Sequence, residues 1–242
     1  MAGETIRCEA ICLDIRPWSK TSHVVAWLTP AGRVSTVVKG AVRPKSAFLG
    51  QYDLNYTCDI LYYARAKGEL HALRDCVPTD LREGLRGDYR ALALAGYYRR
   101  LVSELAPTGD ECRAWYDLLS AALSDLPSSV SRISSFVRFE LKALDLAGVG
   151  QDFSGYDRQA DWSPYSIENG CFSATGGRTL RLSRKVAGYL ARPDRRCVDP
   201  QVPLDAARVL GVLYQFNLDC SSDVRRTVLK MISENEGEEG QI

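Results

Sequence analysis

The hydrophobic pattern changes period at Pro78, and this change limits the possible folds more than any other feature of the chain. Up to about Val77 the residues come in short runs rich in β-branched and aromatic side chains, whereas beyond Pro78 apolar positions recur about every 3.6 residues. Side chains alternate across a strand but return to one face of a helix every three or four residues, so the two halves cannot share one element type. The pattern predicts an α+β protein with strands first and helices after.

Thr5–Ile15, Val24–Leu28 and Arg33–Lys39 read as strands, with Ala31-Gly32 as the turn between the last two. Tyr52–Tyr63 and Glu69–Val77 complete the set, joined at Ala66-Lys67-Gly68. Five short strands with a long irregular connection at Gly40–Gly50 suit a small closed barrel, and the OB-fold and an SH3-like barrel fit nearly equally.

In the second half, Leu81, Leu85, Tyr89, Leu92, Ala95 and Tyr98–Leu101 keep helical spacing. Pro107-Thr108-Gly109-Asp110 interrupts the run, with Asp110 as the expected N-cap of the next helix. Trp115, Leu118, Leu119, Ala122 and Leu126 mark that helix, and Ile133, Phe136, Val137, Leu141 and Leu144 mark a third that Gly148 stops. Residues 150–177, rich in Gly, Ser and Asp, read as an irregular loop or small hairpin inserted between helices. Helical patterning resumes at Ser183–Ala191, Leu204–Leu218 and Val224–Ile232. The expected division is a barrel over residues 1–79, a helical domain over 80–233 and a disordered acidic tail over 234–242.

A net charge of +1 conceals an uneven distribution, and a polyanion responds to the local field. Arg16, Lys20, Arg33, Lys39, Arg43 and Lys45 lie between Ile15 and Tyr52, where the sequence has no Asp or Glu. Phosphates would be drawn there in a salt-dependent way, and Trp18, Trp27 and Phe48 could stack on bases. The plainer alternative is a solvated loop with Trp27 in the core. Arg178, Arg181, Arg184 and Lys185 form a second candidate basic patch. On the helices, Arg99, Arg100, Arg132, Arg138 and Lys142 could hold an acidic peptide with an apolar tip, although cations around a core do the same without a ligand.

Catalytic patterns are missing. There are two histidines, His23 and His71, neither with an evident nucleophile partner, and neither a G-x-x-x-x-G-K-[ST] loop nor a G-x-G-x-x-G turn after a strand occurs. The eight cysteines include no C-x-x-C pair, so they are expected to be reduced, with no metal and no cofactor. No apolar run reaches membrane-spanning length and the first ten residues lack a signal-peptide pattern, so we expect a cytoplasmic, non-enzymatic protein with no membrane partner.

One stretch adds a resemblance. Thr29-Pro30-Ala31-Gly32-Arg33, followed by Val37-Val38-Lys39-Gly40-Ala41-Val42-Arg43-Pro44-Lys45-Ser46, is similar to the RecO family's Thr-x-x-Gly-[Lys/Arg] and Lys-Gly-x-[Arg/Lys]-[Arg/Lys]-Pro-Lys-Ser. Glu9-Ala10-Ile11, Leu182-Ser183 and the helix Phe136-x-Arg138-Phe139-Glu140-Leu141-x-x-Leu144-x-x-x-Gly148 also resemble that family. The resemblance implies an N-terminal OB-fold, a helical domain and an inserted hairpin. It further implies single- and double-stranded DNA binding and ATP-independent annealing of complementary strands in the nucleoid. It also implies contact with the acidic C-terminal tail of single-strand-binding protein, and RecR-assisted loading of RecA onto coated strands. Lys39, Arg43 and Lys45 would inherit the DNA-contacting role, with Lys20 and Arg33 beside them. Two departures stand out: Val42 replaces an often basic residue, and residues 150–177 hold only Cys171 where many members carry a four-cysteine zinc site. Packing by Phe153, Tyr156, Trp162 and Tyr165 is the expected substitute for the metal, unless this degenerate zinc-finger region is looser than in its relatives. An RNA-binding OB protein and a protein-interaction scaffold are the alternative readings.

Overall fold

The computed structural model describes residues 4–65, 70–107, 112–175, 177–218 and 222–234. The chain divides into two compact units, residues 1–127 and 128–242.

In the first unit β1 (Thr5–Ser19), β2 (Ser22–Thr29), β3 (Gly32–Val38), β4 (Thr57–Tyr63) and β5 (Leu70–Asp80) close into a barrel in the order β1-β2-β3-β5-β4. β1 is long enough to pair with β4 through Thr5–Ile11 and with β2 through Ile11–Ser19, which closes the sheet on itself. All pairs are antiparallel except β3 with β5, where Ser35 faces Leu70 and Val37 faces Ala72 in parallel. The topology is OB-like, and closure leaves no unpaired sheet edge. Ala10, Cys12, Val25, Trp27, Val38, Cys58, Ile60 and Cys76 fill the interior. Trp27 is fully buried, and its Nε1 donates to the Thr36 hydroxyl at 2.9 Å, the partner that a buried indole requires.

Thr29 explains the first half of the motif: its hydroxyl donates to the Gly32 carbonyl at 2.8 Å and accepts from the Ala31 amide at 3.2 Å, closing the β2–β3 turn. The fourth strand is shorter than its composition predicts. Residues 52–56 curl through Asn55 at φ +69°, although the Asn55 and Tyr56 backbones still bond Cys12 of β1. The helical run expected from Leu81 is also broken. Arg82 sits at φ +51°, followed by a 3-10 turn at Glu83–Leu85, and α1 (Tyr89–Leu105) starts only after Asp88 caps it.

Arg82 is also the hub of this unit. Its buried guanidinium pairs with Asp80 at 2.9 Å and donates to Thr57 of β4 and to Ser120 and Ser124 of α2 (Arg113–Asp125). That network links α2 to the barrel, whose last strand ends at Asp80, and the compact unit runs on to Pro127. The expected cap Asp110 and the turn at residues 66–68 lie outside the described residues.

The second unit holds α3 (Arg132–Leu146), capped by the Ser131 hydroxyl and ended by Gly148 at φ +77°. The stretch read as an irregular insertion carries an antiparallel sheet, β6 (Trp162–Ser166), β7 (Cys171–Phe172) and β8 (Thr179–Ser183), in the order β7-β6-β8. Then come α4 (Arg184–Leu190), capped by Ser183, α5 (Gln201–Leu218) and α6 (Ser222–Ser233). Residues 235–242, most of the expected acidic tail, lie outside the described residues. No helix among the described residues is long and apolar enough to cross a membrane.

Candidate nucleic-acid interface

The basic connection folds into a preorganised loop beside one end of the β1–β2 hairpin. Successive turn hydrogen bonds, Arg43 to Gly40 at 3.1 Å, Ser46 to Arg43 at 2.9 Å, Leu49 to Ser46 at 3.3 Å and Gln51 to Phe48 at 3.2 Å, give it a fixed path. Gly40 at φ +70° makes the first bend, where a Cβ would lie 3.3 Å from Arg43 Cδ. The Gly40 amide donates to the Ser22 hydroxyl at 3.3 Å, and the Val42 amide to the Thr21 carbonyl at 3.3 Å, tying loop to hairpin.

Between them lies a groove of about 410 Å³, lined by Trp18, Ser19, Thr21, Ser22, Val37, Lys39, Gly40 and Arg43. Lys20 stands in the hairpin turn and Lys45 two residues beyond Arg43, and all four cations are exposed. Among the described residues Lys20, Lys39, Arg43 and Lys45 make no ion pair. Their positive field is therefore uncompensated by any close carboxylate and open to an anion.

Two cations of the same stretch differ. Arg33 donates its Nη1 to the Ser103 carbonyl of α1 at 2.5 Å, a contact that serves the packing of the unit. Arg16 pairs with Asp14 at 2.5 Å, a carboxylate just outside the acid-free window. Of the expected stackers, Trp27 is core and Phe48 packs partly buried against the barrel interior. Trp18 alone of the three is exposed, at 62%.

The second basic set is drawn into local contacts. Arg181 lies over the Trp162 ring with Cζ 5.6 Å from its centroid, Arg184 donates to the Arg158 carbonyl at 3.3 Å, and Lys185 pairs with Asp199 at 3.2 Å. Arg178 is exposed, with its backbone amide held by the Glu168 carboxylate at 2.9 Å.

The peptide-binding set divides between the two units. Arg99 donates to the Leu13 carbonyl from a half-buried position, where desolvation lowers its pKa, and Arg100 pairs with Glu104 at 2.8 Å. In the second unit Arg132 bonds the Ser129 carbonyl at 2.8 Å, while Arg138 and Lys142 line a groove of about 320 Å³. Leu141, Phe153, Leu190 and Pro193 supply its apolar wall, and Asp145, Asp152 and Asp194 also border it.

Comparison with known proteins gives residues 1–82 as matching the family described as Recombination protein O N terminal, and residues 86–221 as matching Recombination protein O C terminal. The chain belongs to the RecO family. It is 26% identical over 234 residues to the DNA repair protein RecO of Alkaliphilus metalliredigens, covering 88% of this chain and 94% of that one. With the DNA repair protein RecO of Roseiflexus sp. it shares 28% over 228 residues, 93% of this chain and 75% of the relative.

This RecO chain does not fit the zinc that its family often carries. The insertion has one cysteine, and among the described residues no group of three or more His, Cys, Asp or Glu could hold a metal. Aromatic packing holds the small sheet: Phe153 stacks on Tyr165 at 4.9 Å, and Phe172 meets Tyr165 edge-on at 5.1 Å. Tyr156 joins at 6.2 Å from Phe172, and Trp162, expected in this cluster, stays 52% exposed. The RecO helix signature Phe136-x-Arg138-Phe139-Glu140 also acquires a cause. Glu140 is fully buried on α3 and takes a bidentate pair from Arg225 of α6, Nε and Nη2 each at 2.7 Å. No sequence pattern points to Arg225 as the partner, because 85 residues separate the two.

Proposed function

We propose that this chain is a non-catalytic DNA-repair mediator. In this reading it binds single- and double-stranded DNA on the barrel groove and anneals complementary strands without ATP. The observation that carries the reading is the set of exposed, unpaired cations Lys20, Lys39, Arg43 and Lys45 on a turn-braced loop and its neighbouring hairpin. Two strands repel through their phosphates. Cations that neutralise those phosphates release condensed counterions, which supplies affinity, and screen the repulsion that opposes pairing. No fuel is required for such a step.

Family membership supports a wider partnership as part of the same reading. With RecR, such a mediator would help RecA load onto strands coated by single-strand-binding protein. We assign the acidic, apolar-tipped tail of that protein to the second-unit groove, where Arg138 and Lys142 would receive its carboxylates and Leu141, Phe153, Leu190 and Pro193 its tip.

The test is a salt titration of oligonucleotide binding, with an annealing assay free of nucleotide triphosphate. Lys39→Glu, Arg43→Glu and Lys45→Glu should each flatten the salt slope by about one unit for every phosphate that is no longer neutralised. An unchanged slope in the triple variant overturns the reading. A matched RNA that outcompetes DNA would replace it with an RNA-binding role.

A further inference from the structure

We infer that Trp18 is a base-stacking platform that gives the barrel groove a preference for single-stranded over duplex nucleic acid. The inference rests on the groove being a nucleic-acid site, as proposed above, and adds what kind of strand it takes.

Four observations converge on this residue. Trp18 is 62% exposed, although a tryptophan gains more than most residues by being buried. It is the extra residue of a β-bulge: Pro17 pairs with His23 and Ser19 with Ser22, leaving Trp18 without an opposite number on β2. Bulges re-aim a side chain out of the ladder, and here the indole lines the groove that Lys39 and Arg43 also line. The fourth observation is its bare ring. The other exposed tyrosines and tryptophan each carry an arginine: Arg74 over Tyr63 at 5.3 Å, Arg90 over Tyr89 at 5.4 Å and Arg181 over Trp162 at 5.6 Å. Among the described residues Trp18 has neither a cation nor another ring against it.

A groove that offers cations and a bare indole addresses both halves of a nucleotide. The phosphates meet Lys39 and Arg43, and the base lies on Trp18. In a duplex every base face except those at the ends is already covered by its neighbours, so only a single strand can use the indole. Stacking engages the face of a base and leaves its pairing edge free for a complementary strand, which suits annealing.

The experiment compares the full-length protein with Trp18→Ala and Trp18→Phe. Their binding is measured to a labelled single-stranded oligonucleotide and to a covalently closed circular duplex, which has neither ends nor loops, each over a salt series. Because Trp18 is exposed, both variants should unfold at the wild-type urea concentration. Trp18→Ala should weaken single-strand binding about tenfold to a hundredfold, the range for losing one stacked base. It should leave closed-duplex affinity and both salt slopes unchanged, and Trp18→Phe should restore most of the affinity. Equal losses on both substrates, or no loss on the single strand, overturn the inference. If Lys39→Glu and Arg43→Glu flatten the slope while Trp18→Ala changes nothing, the electrostatic site stands and the stacking role falls. If the wild-type protein binds neither substrate, both fall.

Discussion

Arg225→Met would deprive the fully buried Glu140 side chain of two 2.7 Å hydrogen bonds and of the guanidinium that makes them. Removing one partner of a buried ion pair costs about 3–5 kcal/mol, because the desolvation of the other is no longer offset by that pairing. Arg225 also donates to the Ala207 carbonyl at 2.5 Å and lies over the Phe136 ring, so the cost belongs in the upper part of that range. Glu140→Gln removes the negative charge opposite a guanidinium that is 11% exposed, and should also destabilise. Replacing both by methionine removes two desolvation penalties together, so the double variant should be more stable than either single one. Gly211 offers an independent probe of the same geometry. A Cβ there would stand 2.6 Å from Arg225 Nη1, so Gly211→Ala should destabilise although alanine is normally worth about 1 kcal/mol over glycine in a helix. Urea unfolding followed by circular dichroism measures all four variants. Single substitutions costing under about 1 kcal/mol, or a double variant as weak as the sum of the singles, would refute the reasoning.

Arg82→Ala should cost about 2–4 kcal/mol by orphaning Asp80, Thr57 and the α2 serines; chemical denaturation of residues 1–127 within the full chain, read by hydrogen exchange, checks it. Arg43→Gln should reduce the salt slope of DNA binding without a change in stability. Arg33→Gln should do the opposite, since its guanidinium serves the Ser103 carbonyl. Cys12 and Cys76 should resist alkylation in the native protein and react on unfolding, as mapped by mass spectrometry. Burial raises the Cys12 pKa, and a hydrogen bond with Cys58 together with burial raises that of Cys76, so neither presents a thiolate at neutral pH. Lys142→Glu should abolish binding of an acidic, apolar-tipped peptide by calorimetry while sparing oligonucleotide binding.

What could be read directly from the residues was whatever depends on neighbours in the chain. The switch of period at Pro78, the Thr29–Gly32 turn, the Gly148 stop and the acid-free basic window are all local, set by backbone geometry or by residues a few positions apart. The fold class followed from them. Tertiary structure decided which cations are spent and which remain. Arg33 and Arg43 look alike in sequence, yet one is claimed by a carbonyl 70 residues away and the other is not. It likewise put Trp27 inside and Trp18 outside, brought Arg225 to Glu140 across 85 residues, and stacked Phe153 on Tyr165 beside the small sheet. Each of these depends on where distant backbone polar groups and charges come to rest once the barrel has closed and the helices have packed. No local spacing encodes that.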